Sequence, residues 1–344
     1  MTGSIRIGIV GAGRIVEAEH VPRFRAIDGV ELVGVANRSE DSSRRAAARL
    51  GLDRSYSSWE ALVADPSIDA VLVGAWPVFH APVTIAALEA GKHVLTEARM
   101  AATADGARAM LRASRAHPDR VAMVVPASFS AWADGTIGRL LRDGALGRVR
   151  HVQVGWDTSG PDDPGDFWRW QRATSGDNVM ALGILAEAMT RWLGQPEAVT
   201  AVTRLGPAER PGPDGPVAAD VPDHVVALID YPDDVTAVVE MSARTNAVTS
   251  DHATIHGSDG SLVVDLGAKR LELVRAGGTR DPVAIRDEDR VGWTAEVDFV
   301  SAIRGGSPGT LTDFATGLGY MAFLEAVHRS AASGCRIVIE GEAT

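Results

Sequence analysis

Short apolar runs alternate with helical stretches through the first 125 residues. Ile5–Val10 is apolar apart from Arg6 and Gly8, and Leu32–Ala36, Ala70–Gly74, Val94–Thr96 and Val121–Val125 repeat the type. Unbroken apolar strands belong in a parallel sheet covered on both faces, since neither face meets water. Between them the spacing predicts helices over about 14–27, 40–50, 57–64, 79–91 and 103–117, and Gly91 stands where a glycine ends a helix. The alternation predicts an α/β domain, a doubly wound parallel sheet, over residues 1–125.

After Pro126 the pattern changes. A helix is predicted near 132–143, a strand in DGALGRVRHVQV, an irregular loop over 158–176 and a helix over 178–193. Strand-like stretches follow at 198–205, 223–231, 234–244, 251–257, 261–266 and 270–276. Turn signals such as Pro232-Asp233-Asp234 and Asp259-Gly260 separate them, so the series reads as a large, mostly antiparallel sheet. Residues 206–222 are rich in Pro and Gly and read as an exposed loop. Helices at 292–304 and 312–333 and a strand at 336–339 close a second domain, 126–344, whose last helix can pack back on the first. In 223–231 Val225, Ala227 and Ile229 alternate with Val226 and Leu228, so both faces are apolar. Such a strand must be covered twice, and a second subunit is the simplest second cover.

Composition narrows the partners. There are 34 basic and 45 acidic residues, a net charge of −11, which disfavours nucleic acid. No run of 18 apolar residues occurs, so no membrane helix is expected. The first ten residues lead into a strand without a basic segment, so no signal peptide is expected. The single cysteine, Cys335, suits a reducing cytoplasm. Only Lys92 and Lys269 are lysines, so a mechanism that needs a lysine has two candidates.

The first strand ends in Gly11-Ala12-Gly13, with a helix starting at Arg14 and Ile15. Glycines there let the backbone approach a pyrophosphate, and the helix start offers free N–H groups. Val16 takes the place of the third glycine of the dinucleotide fingerprint. At the end of the second strand, where an acid selects NAD, the chain has Asn37-Arg38-Ser39. Arginine pairs with a 2′-phosphate, so NADP is favoured over NAD; the alternative is a solvated Arg38.

The block from His80 to Glu97, HAPVTIAALEAGKHVLTE, resembles the Gfo/Idh/MocA oxidoreductase family, named for glucose–fructose oxidoreductase and inositol dehydrogenase. GAGRI with His20, LRDGALGRVRHVQV, ATIHGSDGSLVVD and EVDFVSAIRGG match further family segments in order. The resemblance implies a Rossmann domain, then an α/β domain with a large antiparallel sheet through which members form dimers or tetramers. It implies hydride transfer between a nicotinamide and a small carbonyl or hydroxyl substrate, sugar-like or less polar; an imine is a further option. It places Trp76, His80 and Glu97 beside the cofactor, with a lone histidine at 80 more naturally structural than catalytic.

Two departures stand out. Ala98 takes the place of the lysine of the family's Glu-Lys-Pro motif. On the helix that carries a histidine and two aspartates in relatives, Ala181, Leu185 and Ala188 stand instead. A non-standard acid/base is therefore required, and Glu187 is the candidate, against a plain surface ion pair with Arg191 four residues on. Arg99, Asn178 and Trp170 are candidate substrate contacts; Asp177 reads as a helix N-cap. His252 and His256 share a strand face but lack further ligands, so no metal is expected. Two other readings stay open: a dinucleotide-binding protein without turnover, acting as sensor or partner subunit, and a lyase or isomerase.

Overall fold

The computed structural model describes residues 4–159, 164–245, 251–290, 292–306 and 312–340. The chain divides into two compact units, one of residues 1–126 with 294–321 and one of 127–293 with 322–344.

The first unit is built on six parallel strands: β1 (Ile5–Val10), β2 (Val30–Ala36), β3 (Arg54–Tyr56), β4 (Ala70–Val73), β5 (His93–Thr96) and β6 (Ala122–Val124). Their order is β3-β2-β1-β4-β5-β6, the doubly wound arrangement. Every residue of β4 and β5 is buried, as their unbroken apolar runs require. β3 carries no apolar run, because Arg54, Ser55 and Tyr56 form an edge strand paired only with β2. The predicted first helix is broken: a π-helical turn, Val16–His20, leads into α1 (Val21–Arg25) at Pro22. Then come α2 (Glu40–Leu50), α3 (Trp59–Ala64), α4 (Pro77–Glu89) and α5 (Ala104–Ala116). Ser39, Ser58 and Thr103 cap α2, α3 and α5 with their hydroxyls. Gly91, at φ 74°, takes the left-handed place after α4 expected of it.

The second unit opens with α6 (Ala131–Arg142) and β7 (Val149–Ser159), followed by α7 (Arg172–Ser175) and α8 (Leu182–Leu193). The strands β8 (Ala198–Arg204), β9 (Glu209–Gly212), β10 (Gly215–Ala218), β11 (His224–Tyr231) and β12 (Val235–Thr245) come next. β13 (Asp251–Gly257), β14 (Gly260–Asp265), β15 (Arg270–Arg275), β16 (Arg280–Pro282) and β17 (Ile337–Val338) complete the set. Nine of them form one sheet, ordered β16-β15-β14-β13-β7-β12-β11-β8-β17. Its one parallel pair is β7 with β12, and the other pairings are antiparallel.

Three expectations fail for local reasons. Residues 206–222 are not an irregular loop: β9 and β10 form a hairpin whose Arg210 is buried against Asp223 and over the Trp170 ring. The described part of 158–176 is not irregular either, since Pro164–Trp170 forms a 3₁₀ helix and α7 follows. The helix predicted from 178 starts at Leu182, because Met180 sits at φ 48°, outside helical space. Asp177 therefore caps nothing; its side chain pairs with Arg172 and its carbonyl accepts from His328.

Two helices remain. α9 (Ala295–Ile303) and α10 (Phe314–Ser333) follow residue 293, and α10 through Met321 belongs to the first unit. On β11 the two faces differ. Val225, Ala227 and Ile229 are buried, whereas Val226 and Leu228 are exposed.

Candidate active site

The C-terminal edge of a doubly wound sheet, where strand order reverses, is where ligands bind. Here the reversal lies between β1 and β4. Gly11 follows β1 with φ at 87°, and a Cβ there would lie 2.4 Å from the Ala75 nitrogen. Only glycine fits. At Gly13 the nearest atom to a Cβ is Gly74 O at 3.9 Å, so that side of the turn is open. Gly13, Arg14 and Ile15 are exposed, and the helical turn begins at Arg14. A tight glycine cradle with exposed backbone at a helix start fits a pyrophosphate.

Asn37 does not face outward with Arg38. Its Oδ1 accepts the Ala12 N–H at 2.8 Å, and its backbone N–H donates to Ser43 Oγ at 2.9 Å. It pins the glycine turn to the start of α2. Arg38 is exposed, its guanidinium carbon 5.9 Å from the centre of the Trp76 ring. Ser39 caps α2 in a reciprocal pair with Ser42. Trp76 precedes α4, so the cation–π pair spans the ends of β2 and β4. Ile15 and Phe79 are large apolar residues left exposed on the same edge.

The nicotinamide half of such a fold lies over β4 to β6. His80 is buried there, with Nδ1 2.8 Å from Arg99 O and Nε2 2.9 Å from Ala75 O. Burial holds its pKa below the ordinary imidazole value against the pull of those carbonyls. It ties α4 to the segments after β4 and β5. Arg99 is buried as well. Lys92 is spoken for: its Nζ donates to Asp65 O at 2.9 Å and Ile68 O at 2.7 Å.

Glu97 leads to a group that sequence reasoning missed. Its Oε1 lies 2.7 Å from His20 Nε2, and His20 Nδ1 lies 2.5 Å from Glu296 Oε1. Glu97 Oε2 also accepts the Ala98 N–H at 3.2 Å. His20 and Glu296 are fully buried, whereas the Glu97 side chain keeps 17% of its surface. Burial disfavours a charged imidazole, but the hydrogen bonds and charges of Glu296 and Glu97 outweigh it and raise His20 to about 9. A sequence signal existed. Glu296 sits on the stripe of α9 shared by Phe299, Val300 and Ile303, all buried; a carboxylate there must have a partner.

The second unit holds the remaining candidates. Glu187 lies neither in a surface ion pair nor in an open position. It is buried, its Oε2 accepting the Ala127 N–H at 2.7 Å and its Oε1 bonded by Arg191. Arg191 also reaches Asp134 at 2.9 Å and the Ala127 carbonyl at 2.8 Å. Asn178 is buried, its amide donating to Ser175 O. Trp170 is a buried core ring packed with Ala219 and Ala243. Among the described residues no cluster of three His, Cys, Asp or Glu suits a metal, and no helix is long and apolar enough to cross a membrane.

Comparison with known proteins agrees with this architecture. Residues 5–124 match the oxidoreductase family with NAD-binding Rossmann fold, and residues 135–263 match the GFO/IDH/MocA C-terminal domain. An uncharacterised oxidoreductase of Rhizobium meliloti is 30% identical over 96% of this chain and 98% of its own. Levoglucosan dehydrogenase of Pseudarthrobacter phenanthrenivorans is 29% identical over 76% of this chain and 73% of its own. The dTDP-3,4-didehydro-2,6-dideoxy-alpha-D-glucose 3-reductase of Streptomyces antibioticus is 29% identical, covering 90% and 91%. A solved levoglucosan dehydrogenase in complex with NADH and L-sorbose superposes with a TM-score of 0.84 over 98% of this chain and 99% of its own, at 22% identity, which speaks for the fold. The doubly wound sheet with its glycine cradle, the large second sheet and the two matched segments together make this chain a member of the Gfo/Idh/MocA oxidoreductase family.

Proposed function

We propose that the protein is a dehydrogenase or reductase that prefers NADP and acts on a hydroxyl or carbonyl of a small sugar-like substrate. The carrying observation is Arg38, exposed at the end of β2 beside Trp76. In this reading Gly11, Gly13, Arg14 and Ile15 receive the pyrophosphate on backbone N–H groups. Arg38 meets the 2′-phosphate, and Trp76, His80 and Glu97 border the nicotinamide. When bound, the dinucleotide supplies or accepts the hydride. Arg38 is preorganised: the Trp76 ring limits its freedom, so less entropy is lost on binding. The names of sugar dehydrogenases and reductases among the relatives support the substrate class. Asn178, Arg99 and Trp170 serve here as frame, being buried.

Arg38→Ala should weaken NADPH binding about ten- to a hundredfold, the worth of a charge-assisted contact, and leave NADH binding nearly unchanged. Fluorescence titration with both nucleotides measures it. Equal loss for both undoes the preference, and tight binding without turnover on sugars and cyclic polyols favours a sensor.

The reading includes a homo-oligomer. Val226 on β11 stands opposite Val202 on β8, and both are exposed with Leu228 nearby on β11. Such an apolar patch on an open sheet face fits a second copy. Leu228→Arg should lower the mass seen by light scattering to that of one chain, while a monomeric unaltered protein at micromolar concentration would overturn this part.

A further inference from the structure

We propose that Glu97 carries the proton of the reaction, with His20 and Glu296 as the positioning pair that holds its carboxylate and shares the proton it takes up. The proposal rests on the dehydrogenase reading above. Oxidation of an alcohol to a carbonyl breaks a C–H and an O–H bond. A bound dinucleotide would take the hydride, and the proton must leave to a base beside it.

Position leaves few bases in the first unit. The residues that follow β4, β5 and β6 at their C-terminal ends are 74–80, 97–103 and 125–126. Their ionisable side chains are His80, Glu97 and Arg99. His80 and Arg99 are buried, and a guanidinium does not give up its proton in a protein. Ala98, at the family's lysine place, has no proton to exchange. Glu97 alone of the three keeps surface open to an incoming hydroxyl.

Geometry also suits it. An ionised carboxylate offers about four lone-pair sites. His20 occupies one and the Ala98 N–H another, so each oxygen retains capacity. The two bonds fix the carboxylate plane, which removes the reorganisation that a free glutamate would undergo.

Behind Glu97 the imidazole faces carboxylates from the end of β5 and from α9, and Phe24 of α1 stacks on its ring. At rest the three groups hold two negative charges and one positive. When Glu97 accepts the substrate proton, the Nδ1 proton of His20 can pass to Glu296, leaving a neutral imidazole between two carboxyl groups with one proton each. Charge and protons balance, and the acquired proton is spread into the interior instead of remaining beside the carbonyl. In reduction the same steps run backward.

The test uses the whole protein with NADP⁺ and a panel of pyranoses and cyclic polyols. Glu97→Gln keeps the shape and the bond to His20 but cannot accept a proton. Its kcat should fall about 10²- to 10⁴-fold, far more than any change in nucleotide affinity read by fluorescence, and the acidic limb of the kcat/KM profile should be gone. Glu97→Asp should restore part of the rate. Glu296→Gln should shift that limb with little change in KM. In ¹⁵N spectra of imidazole-labelled protein without nucleotide, Glu296→Gln should move the His20 titration toward the ordinary imidazole range. A Glu97→Gln protein that keeps its rate and pH profile overturns the proton role alone. A Glu296→Gln protein that loses stability with profile and imidazole titration unmoved overturns the positioning role. An unaltered protein that binds nucleotide and oxidises nothing on the panel overturns the dehydrogenase reading together with the proton role.

Discussion

Arg191→Ala is expected to destabilise the protein by about 3–5 kcal/mol, read as a lower urea midpoint with an unchanged slope. The guanidinium lies between Glu187 and Asp134 and also holds the Ala127 carbonyl and the Ser130 hydroxyl. All three charged side chains are largely buried. Taking away the cation leaves two carboxylates in a poorly solvated place, a cost much larger than the few tenths of a kcal/mol of an exposed i,i+4 pair. Asp134 is further committed to the Trp192 indole N–H at 2.8 Å, so it cannot turn to water without breaking a second bond. The same variant separates two roles for Glu187. If the carboxylate serves the frame, Arg191→Ala measured below its melting range should keep its pH–rate profile. A changed profile would return Glu187 to the chemistry.

Stability should also fall by about 3 kcal/mol as pH rises from 6.5 through about 9, on account of His20. The sign follows from proton counting. Between the unfolded value of 6.5 and the folded value of about 9, the native protein holds a proton on His20 that the unfolded chain has released. The stabilisation is therefore complete below 6.5 and lost as pH climbs through the folded value. The four histidines with lowered values do not mask it. His80, His93, His256 and His328 are all lowered by burial, so their linkage is finished by 6.5. Urea midpoints across this range measure the slope, and His20→Asn should flatten it. A flat profile in the unaltered protein would mean that the imidazole is neutral between its carboxylates.

The first unit was legible because its signals are local. The apolar runs of β1, β4 and β5, the glycine turn and Gly91 each follow from residues next to one another. β3 was not, since a three-residue polar edge strand exists only by pairing with β2. In the second unit, the hairpin at 209–218 was hidden because Pro and Gly read as loop, while its support comes from Arg210 reaching Asp223, thirteen residues on. The site divided in the same way. The tight glycine turn and the exposure of Arg38 could be read off the chain, but Asn37 turned inward to hold Ala12. The meeting of His20, Glu97 and Glu296 could not be read, because it joins residues separated by 77 positions and more. A glutamate on the apolar stripe of α9 was the one visible sign of it.

The first unit is discontinuous, and this sets an order of events during synthesis. Residues 1–126 leave the ribosome without 294–321. Phe24 then lacks Phe299, His20 lacks Glu296, the Met100 N–H lacks the Tyr320 hydroxyl and the Val124 N–H lacks the Thr312 carbonyl. The nucleotide-binding half is thus begun first and completed only after eight strands of the nine-stranded sheet have been translated, with β17 alone still to follow. A nascent chain stalled before residue 294 should remain protease-sensitive around His20 and Phe24 and should not capture dinucleotide, whereas the released chain should do both jobs of closing that core and accepting the cofactor in one late step.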